Sequence, residues 1–331
     1  METETRSPAP TSVASVFEPI RHDLEGVEAT IRRALDGPNP RIVELATYLQ
    51  QGGGKRLRPA LFLLAARNFR YDRERLLPVA AAVELIHMAT LVHDDIVDGA
   101  TSRRGLPTVS VRWGTGTAVL TGDFLFARAF SMLAADGDTR VVQVMAETVY
   151  EMSTGEIEQQ EQLFDPSTGE EGYYRRIFKK TAHFISHCCL MGGLMGGATE
   201  RQVEALRRYG YGIGMGFQVI DDILDLTGDP AVLGKPRGTD LRSGVLTLPV
   251  LYALEREPQP WLLERLEARS FDDATIERVV EWVERTGGIA YARRQAEHFI
   301  AGALAALDEL GSVPMQPYLR ALARFILERK H

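Results

Sequence analysis

Residues 73–98 read RERLLPVAAAVELIHMATLVHDDIVD, a helical stretch with almost no polar face. A helix that is apolar all round has to lie inside the fold. This one nevertheless ends in three carboxylates, Asp94, Asp95 and Asp98, and Arg103 and Arg104 follow at once. Like charges at i and i+4 repel, so the arrangement is poor by itself. The pattern then returns: GFQVIDDILDLTGD (216–229) carries Asp221, Asp222 and Asp225 at the same spacing, again ending an apolar helix. A lone cluster of this kind reads most simply as an acidic helix end fading into solvent. Two matched clusters require a chain that brings two buried helices to a shared polar interior.

The rest of the chain supports that demand. Helical periodicity covers about 20–37, 60–69, 117–135, 139–163, 172–198, 201–227, 245–256, 273–286, 289–309 and 315–329. PRIVELATYLQQGGGKRLRP reads as a helix broken by Gly52, Gly53 and Gly54. No run of alternating strands stands out. The expected fold is all-α, a single-domain helical bundle around a central cavity spanning 18–331. Residues 1–17, rich in Pro, Ser and Thr, are expected to be a flexible lead-in. The long segment 228–244, with its Gly, Pro, Lys and Arg, is expected to be a functional or mobile loop.

Composition narrows the function. A net charge of −7 argues against a nucleic-acid binder. No uninterrupted apolar run reaches the ~18 residues of a membrane span, so no integral membrane segment is expected. The N-terminus has neither a basic start nor an apolar core of the secretory kind. The two cysteines, Cys188 and Cys189, are neighbours, which fits packing in a helix and a reducing, cytoplasmic location.

Carboxylates facing each other across a cavity are hard oxygen ligands. Mg²⁺ suits them, because it is held by a few carboxylates together with substrate phosphates. No His or Cys joins the clusters at ligand spacing, which disfavours zinc. Cations accompany them: Lys55, Arg56 and Arg58 on the glycine-rich turn, Arg103 and Arg104, Lys179 and Lys180 in FKKTAHF, Lys235 and Arg237. His87 lies seven residues before Asp94, and Gln218 three before Asp221. Any one of these reads as a surface charge or a packed histidine. Together they suggest two anion pockets, one bridged by metal and one built from direct Lys, Arg and His contacts.

From about residue 40 to 256 the chain resembles the trans-isoprenyl diphosphate synthases. DDIVD and DDILD match the family's two aspartate-rich motifs, and GGGKRLRP, HDDIVDGATSRRGLPT, GDFLFARAF, KKTAHF, GFQVIDDILD and GKPRGTDL follow in the family's order. The resemblance implies that Asp94, Asp95, Asp98, Asp221, Asp222 and Asp225 hold Mg²⁺ on an allylic diphosphate. Arg103, Lys180 and Lys235 would grip that diphosphate, and Lys55, Arg58, His87 and Arg104 would bind isopentenyl diphosphate. Thr181 and Gln218 would flank the carbon that becomes cationic, and with Lys180 form the catalytic group. The family also suggests a homodimer. One departure stands out: SGVLTLP has Val245 where the family often has lysine, so a cation is missing from the allylic site.

The resemblance also runs the growing product down beside IHMATLVHDD. Thr90 and Ala89, four and five residues before the first aspartate, are small where short-chain relatives often carry an aromatic plug. That favours a long all-trans product, hepta- to decaprenyl, of the kind used for quinone side chains. The alternative is close helix packing at Ala89 and Thr90, with a floor at Met145, Val149 or Met152. A short-chain farnesyl or geranylgeranyl synthase is the nearest rival, and a non-catalytic subunit of a heteromeric synthase another. A class I terpene cyclase would replace DDILD by an Asn/Ser/Glu motif and would not need GGGKRLRP.

Overall fold

The structure is a computed structural model and describes residues 12–37, 39–230 and 236–329. Its helices are α1 (Val13–Phe17), α2 (Arg21–Leu35), α3 (Pro40–Gln51), α4 (Leu57–Ala66), α5 (Arg73–Val97), α6 (Val109–Trp113), α7 (Thr115–Ala135), α8 (Thr139–Glu161), α9 (Gly169–Ile177), α10 (His183–Gly196) and α11 (Glu200–Thr227). They continue as α12 (Thr239–Arg242), α13 (Leu248–Arg256), α14 (Pro260–Ala268), α15 (Asp273–Arg285), α16 (Gly288–Asp308) and α17 (Gln316–Glu328). The fold is all-α, as the periodicity requires.

α5 is the buried axis. Every residue from Val79 to Ile86 is at most 4% exposed, and α2, α4 and α7 pack around it. α11 is the second axis, and its RRYGYGIGMGFQ run explains how. Gly210 and Gly214 face α10 and the turn before it, while Gly212 and Gly216 face α16. A Cβ at Gly210 would stand 2.7 Å from the Ser186 backbone, and one at Gly212 2.5 Å from the Phe299 carbonyl. Glycine on both faces lets two helices press against α11 at once.

The structure departs from the sequence expectations in several places, including the unexpected short helix α6 and, inside the expected loop 228–244, α12. Residues 13–17, assigned to the lead-in, form α1, with Val16 fully buried and α1 packed on α17. The segment 172–198 is two helices joined by a π turn over Phe178–Ala182. α14 had no periodic signal strong enough to be read. A two-stranded hairpin, β1 (Ser102–Arg103) paired with β2 (Leu106–Pro107), follows the first aspartate cluster. Arg104 and Gly105 at its tip both have positive φ, 52° and 78°. That is the primed turn that suits two-residue hairpins. Cys188 and Cys189 are fully buried free thiols, and burial pushes Cys188 up to about 12, so neither is a reactive thiolate.

Candidate active site

The basic pocket grows from a break in the chain. Gly53 and Gly54 and then Arg56 take positive φ between α3 and α4. Arg56 is anchored there by Glu28 and by Glu84 of α5 (2.7 Å). Arg104, from the hairpin tip, donates to the carbonyl of Gly53. A Cβ at Gly54 would stand 2.8 Å from the Arg104 guanidinium, so glycine is what admits the arginine. Arg58, in the first turn of α4, lies over the Phe184 ring (5.0 Å) and donates to His87 Nε2 at 3.1 Å. Arginine only donates, so His87 Nε2 accepts and its proton sits on Nδ1. Burial, then the Arg58 charge, pushes the His87 pKa well below its ordinary value, so the ring is neutral. Arg58 Nε is buried and has no hydrogen-bond partner among the described residues.

Lys55, Arg58, His87 and Arg104, assigned to one substrate from the sequence, line one cavity of about 550 Å³. Thr181, Gln218, Asp221 and Arg103 line the same cavity, with Phe217, Ile185, Leu91 and Phe325 as apolar wall. It therefore joins the basic pocket to the second aspartate cluster. The π turn sets the cavity's far side. One extra residue in a turn re-aims the side chains beyond it, and such turns are frequent at functional sites. Thr181 donates to Gln218 Oε1 (3.0 Å), and Lys180 pairs with Glu156 (2.5 Å) and Gln159 (3.0 Å) of α8.

The two aspartate clusters are unequal. Burial raises Asp94 from the usual 3.8 to about 6, against the opposing pull of Lys180, and raises Asp98 for the same reason. Asp95 is buried and paired with Arg103 at 2.7 Å, so that cation is tied to the first cluster. Asp221 pairs with Arg329 at 3.2 Å. Asp222 is buried and accepts from Tyr173 (2.7 Å) and Gln218 (2.9 Å). Asp225 Oδ2 accepts the Asp240 backbone N–H at 3.2 Å. Among the described residues, no three of these groups enclose an ion by themselves. That suits a metal completed by phosphate oxygens. Carboxylates raised by burial are under-compensated, and a dication is what relieves them.

Some expectations fall elsewhere. Lys235 lies outside the described residues. Arg237 donates to the Gly228 carbonyl (2.8 Å) and borders a surface groove with Arg242. Val245 is half-buried, and its N–H donates to the Asp240 carbonyl (2.8 Å). Ala89 is fully buried, and Thr90 donates to the His87 carbonyl (2.8 Å). On the same helix, His87, Leu91, Met88 and Val92 line the cavities beside the basic cluster.

Sequence reading missed Glu84, Tyr173, Arg176 and Arg329. Glu84 had a signal, since it lies three residues before His87 on the same helix. Arg329 had none. It follows the last helix, yet its guanidinium sits 4.4 Å from the Phe217 ring centroid at the cavity wall.

The sequence model of the family described as Polyprenyl synthetase matches residues 39–283. Heptaprenyl diphosphate synthase component 2 of Geobacillus stearothermophilus is 41% identical over 317 residues, covering 96% of this chain and 99% of that protein. A decaprenyl diphosphate synthase from Rhodobacter capsulatus superposes with a TM-score of 0.90 at 35% identity, covering 97% of this chain and 100% of that one. A polyprenyl synthase from Caulobacter crescentus, complexed with calcium and isoprenyl diphosphate, gives a TM-score of 0.90 at 33% identity, covering 98% and 100%.

Proposed function

The chain belongs to the polyprenyl synthetase family and is a prenyltransferase that makes long-chain polyprenyl diphosphates; from that premise we propose how its residues do so. The observation that carries the reading is the single cavity joining Lys55, Arg58, His87 and Arg104 to Thr181, Gln218 and Asp221. Isopentenyl diphosphate takes the basic end, where the unpartnered Arg58 Nε offers a donor. The allylic diphosphate lies between the aspartate clusters, gripped by Lys180 and Arg103, with Lys235 assigned by the resemblance alone. Asp94, Asp98 and Asp221 are the most open carboxylates and would hold the metal, and Asp95 and Asp225 complete the two clusters, beside an Asp222 whose two oxygens already accept hydrogen bonds. Mg²⁺ held there supplies charge to offset the negative charge growing on the departing diphosphate.

The allylic carbon–oxygen bond breaks, and the diphosphate leaves with the electron pair. The Thr181 hydroxyl oxygen and the Gln218 carbonyl face the carbon that becomes positive. The double bond of isopentenyl diphosphate attacks it, forming the new carbon–carbon bond. A proton then leaves the adjacent carbon, for the released diphosphate rather than a side chain. Phe217, Ile185 and Leu91 keep out the water that would otherwise capture the cation.

Purified chain given Mg²⁺, isopentenyl diphosphate and farnesyl diphosphate is expected to form hepta- to decaprenyl products, sized after dephosphorylation. Products that stop at geranylgeranyl length would return the short-chain rival, and no turnover by the chain alone would return the silent-subunit one. Ala89→Phe is expected to shorten the product by several five-carbon units while the enzyme stays active, because the tail passes this helix. Ala89 is fully buried, and overpacking typically costs ~1–3 kcal/mol. A lower melting temperature with unchanged product length would make it a packing residue only.

We infer a homodimer and a cytoplasmic location. α7 is long and apolar enough to cross a membrane by length and composition, yet only 33% of its most apolar window is buried within the chain. Val119 is 41% and Leu120 69% exposed on it. Such a patch marks a docking face. Light scattering is expected to give twice the chain mass, and Leu120→Asp to halve it. A wild-type monomer at micromolar concentration would favour a different partner chain, the arrangement that the name of the Geobacillus relative describes.

A further inference from the structure

Four polar side chains form one chain of hydrogen bonds between the core and the cavity wall, with every donation running toward Asp222. Tyr173 is fully buried on α9, and its hydroxyl donates to Asp222 Oδ2 at 2.7 Å. Gln218 Nε2 donates to the other oxygen, Asp222 Oδ1, at 2.9 Å. Thr181 on the π turn donates to Gln218 Oε1 at 3.0 Å. Thr181 and Gln218 both line the cavity, whereas Tyr173 and Asp222 do not.

The direction of this chain matters. An ionised carboxylate only accepts, so Asp222 must meet the NH₂ end of the Gln218 amide. The amide is thereby fixed with its carbonyl toward Thr181. Thr181 in turn spends its one proton on that carbonyl, leaving its oxygen lone pairs for the cavity. Without Asp222 the amide is free to flip and turn its donor end to the cavity. Arg176 holds the other end in place. It is buried, its guanidinium stands 5.4 Å from the Tyr173 ring centroid, and it donates to the Leu246 carbonyl at 2.6 Å.

We propose that Tyr173 and Asp222 are positioning residues that lock the Gln218 amide with its carbonyl oxygen beside the ionising allylic carbon, and that Asp222 acts through Gln218 rather than on the metal. This rests on the reading that Thr181 and Gln218 flank that carbon. A carbonyl dipole oriented beforehand stabilises developing positive charge without reorganising as the charge appears. It also explains why both oxygens of Asp222 are committed to Tyr173 and Gln218, whereas among the described residues no side chain donates to the Asp94 or Asp98 carboxylate.

Tyr173→Phe keeps the ring and deletes the donor. In the full chain it is expected to lower kcat about tenfold, with KM for isopentenyl diphosphate within about twofold of wild type. In a Gln218→Ala background the same substitution is expected to change kcat by less than about twofold, since the group it positions is gone. Losses that multiply in the double variant would make Tyr173 a structural residue and overturn the proposal. Gln218→Ala with undiminished kcat would instead sink the reading beneath it. Asp222→Asn provides a second test should Tyr173→Phe fail to fold. Calorimetric binding of a thiolo analogue of the allylic diphosphate with Mg²⁺ is expected to stay within about threefold of wild type, while kcat falls. Weakening beyond about thirtyfold would make Asp222 a metal ligand and overturn its assignment.

Discussion

Asp94→Asn is expected to lower kcat/KM by about a thousandfold or more, because it removes a carboxylate from the cluster that offsets leaving-group charge. It is also expected to leave the melting temperature unchanged or raised at neutral pH. Burial holds the Asp94 carboxyl at about 6 in the fold, above the usual 3.8 of an exposed chain. Between those values the folded protein binds more protons at this group than the unfolded one, so stability falls as pH rises through the window. Above about 6 the full cost of the ionised carboxylate is present, and asparagine removes it. Steady-state kinetics beside a melt at pH 7.5 measures both. Retained turnover, or a large loss of stability, would each remove Asp94 from the metal site.

Arg58→Met is expected to raise KM for isopentenyl diphosphate about a hundredfold, with kcat and the allylic KM little changed. Methionine keeps the apolar contact with Phe184, so the variant tests the guanidinium rather than the packing. Arg58 also donates to His87, and its loss frees Nε2 of a ring already neutral through burial. The defect is therefore expected to persist across pH 6–9 and not to follow a histidine titration. A variant impaired only toward the allylic substrate would mean that the two pockets are interchanged.

Much of the helical frame was legible because its signals are local. The apolar run of α5 states what has to surround it. The paired carboxylates at the ends of α5 and α11 were equally plain, because an isolated pair of such clusters has no comfortable surface explanation. The π turn was not legible. KKTAHF suits a continuous helix, and the extra residue is set by how the turn packs between α8 and α11. The hairpin was missed for the opposite reason, since strands of two residues have no periodicity to read.

What the sequence determined by itself was an all-α chain with two buried helices ending in matched carboxylates, a glycine-rich cationic turn, and hence pockets for anions, one of them bridged by metal. These follow from residue type and spacing along one element. Tertiary structure decided which of those groups meet. It set Arg58 against His87 across 29 positions and Asp221 against Arg329 across 108, and it committed both oxygens of Asp222 to Tyr173 and Gln218. Such pairings depend on how far apart two helix axes stand and how each is rotated. Packing of the whole core fixes both, and no periodicity within one helix encodes either.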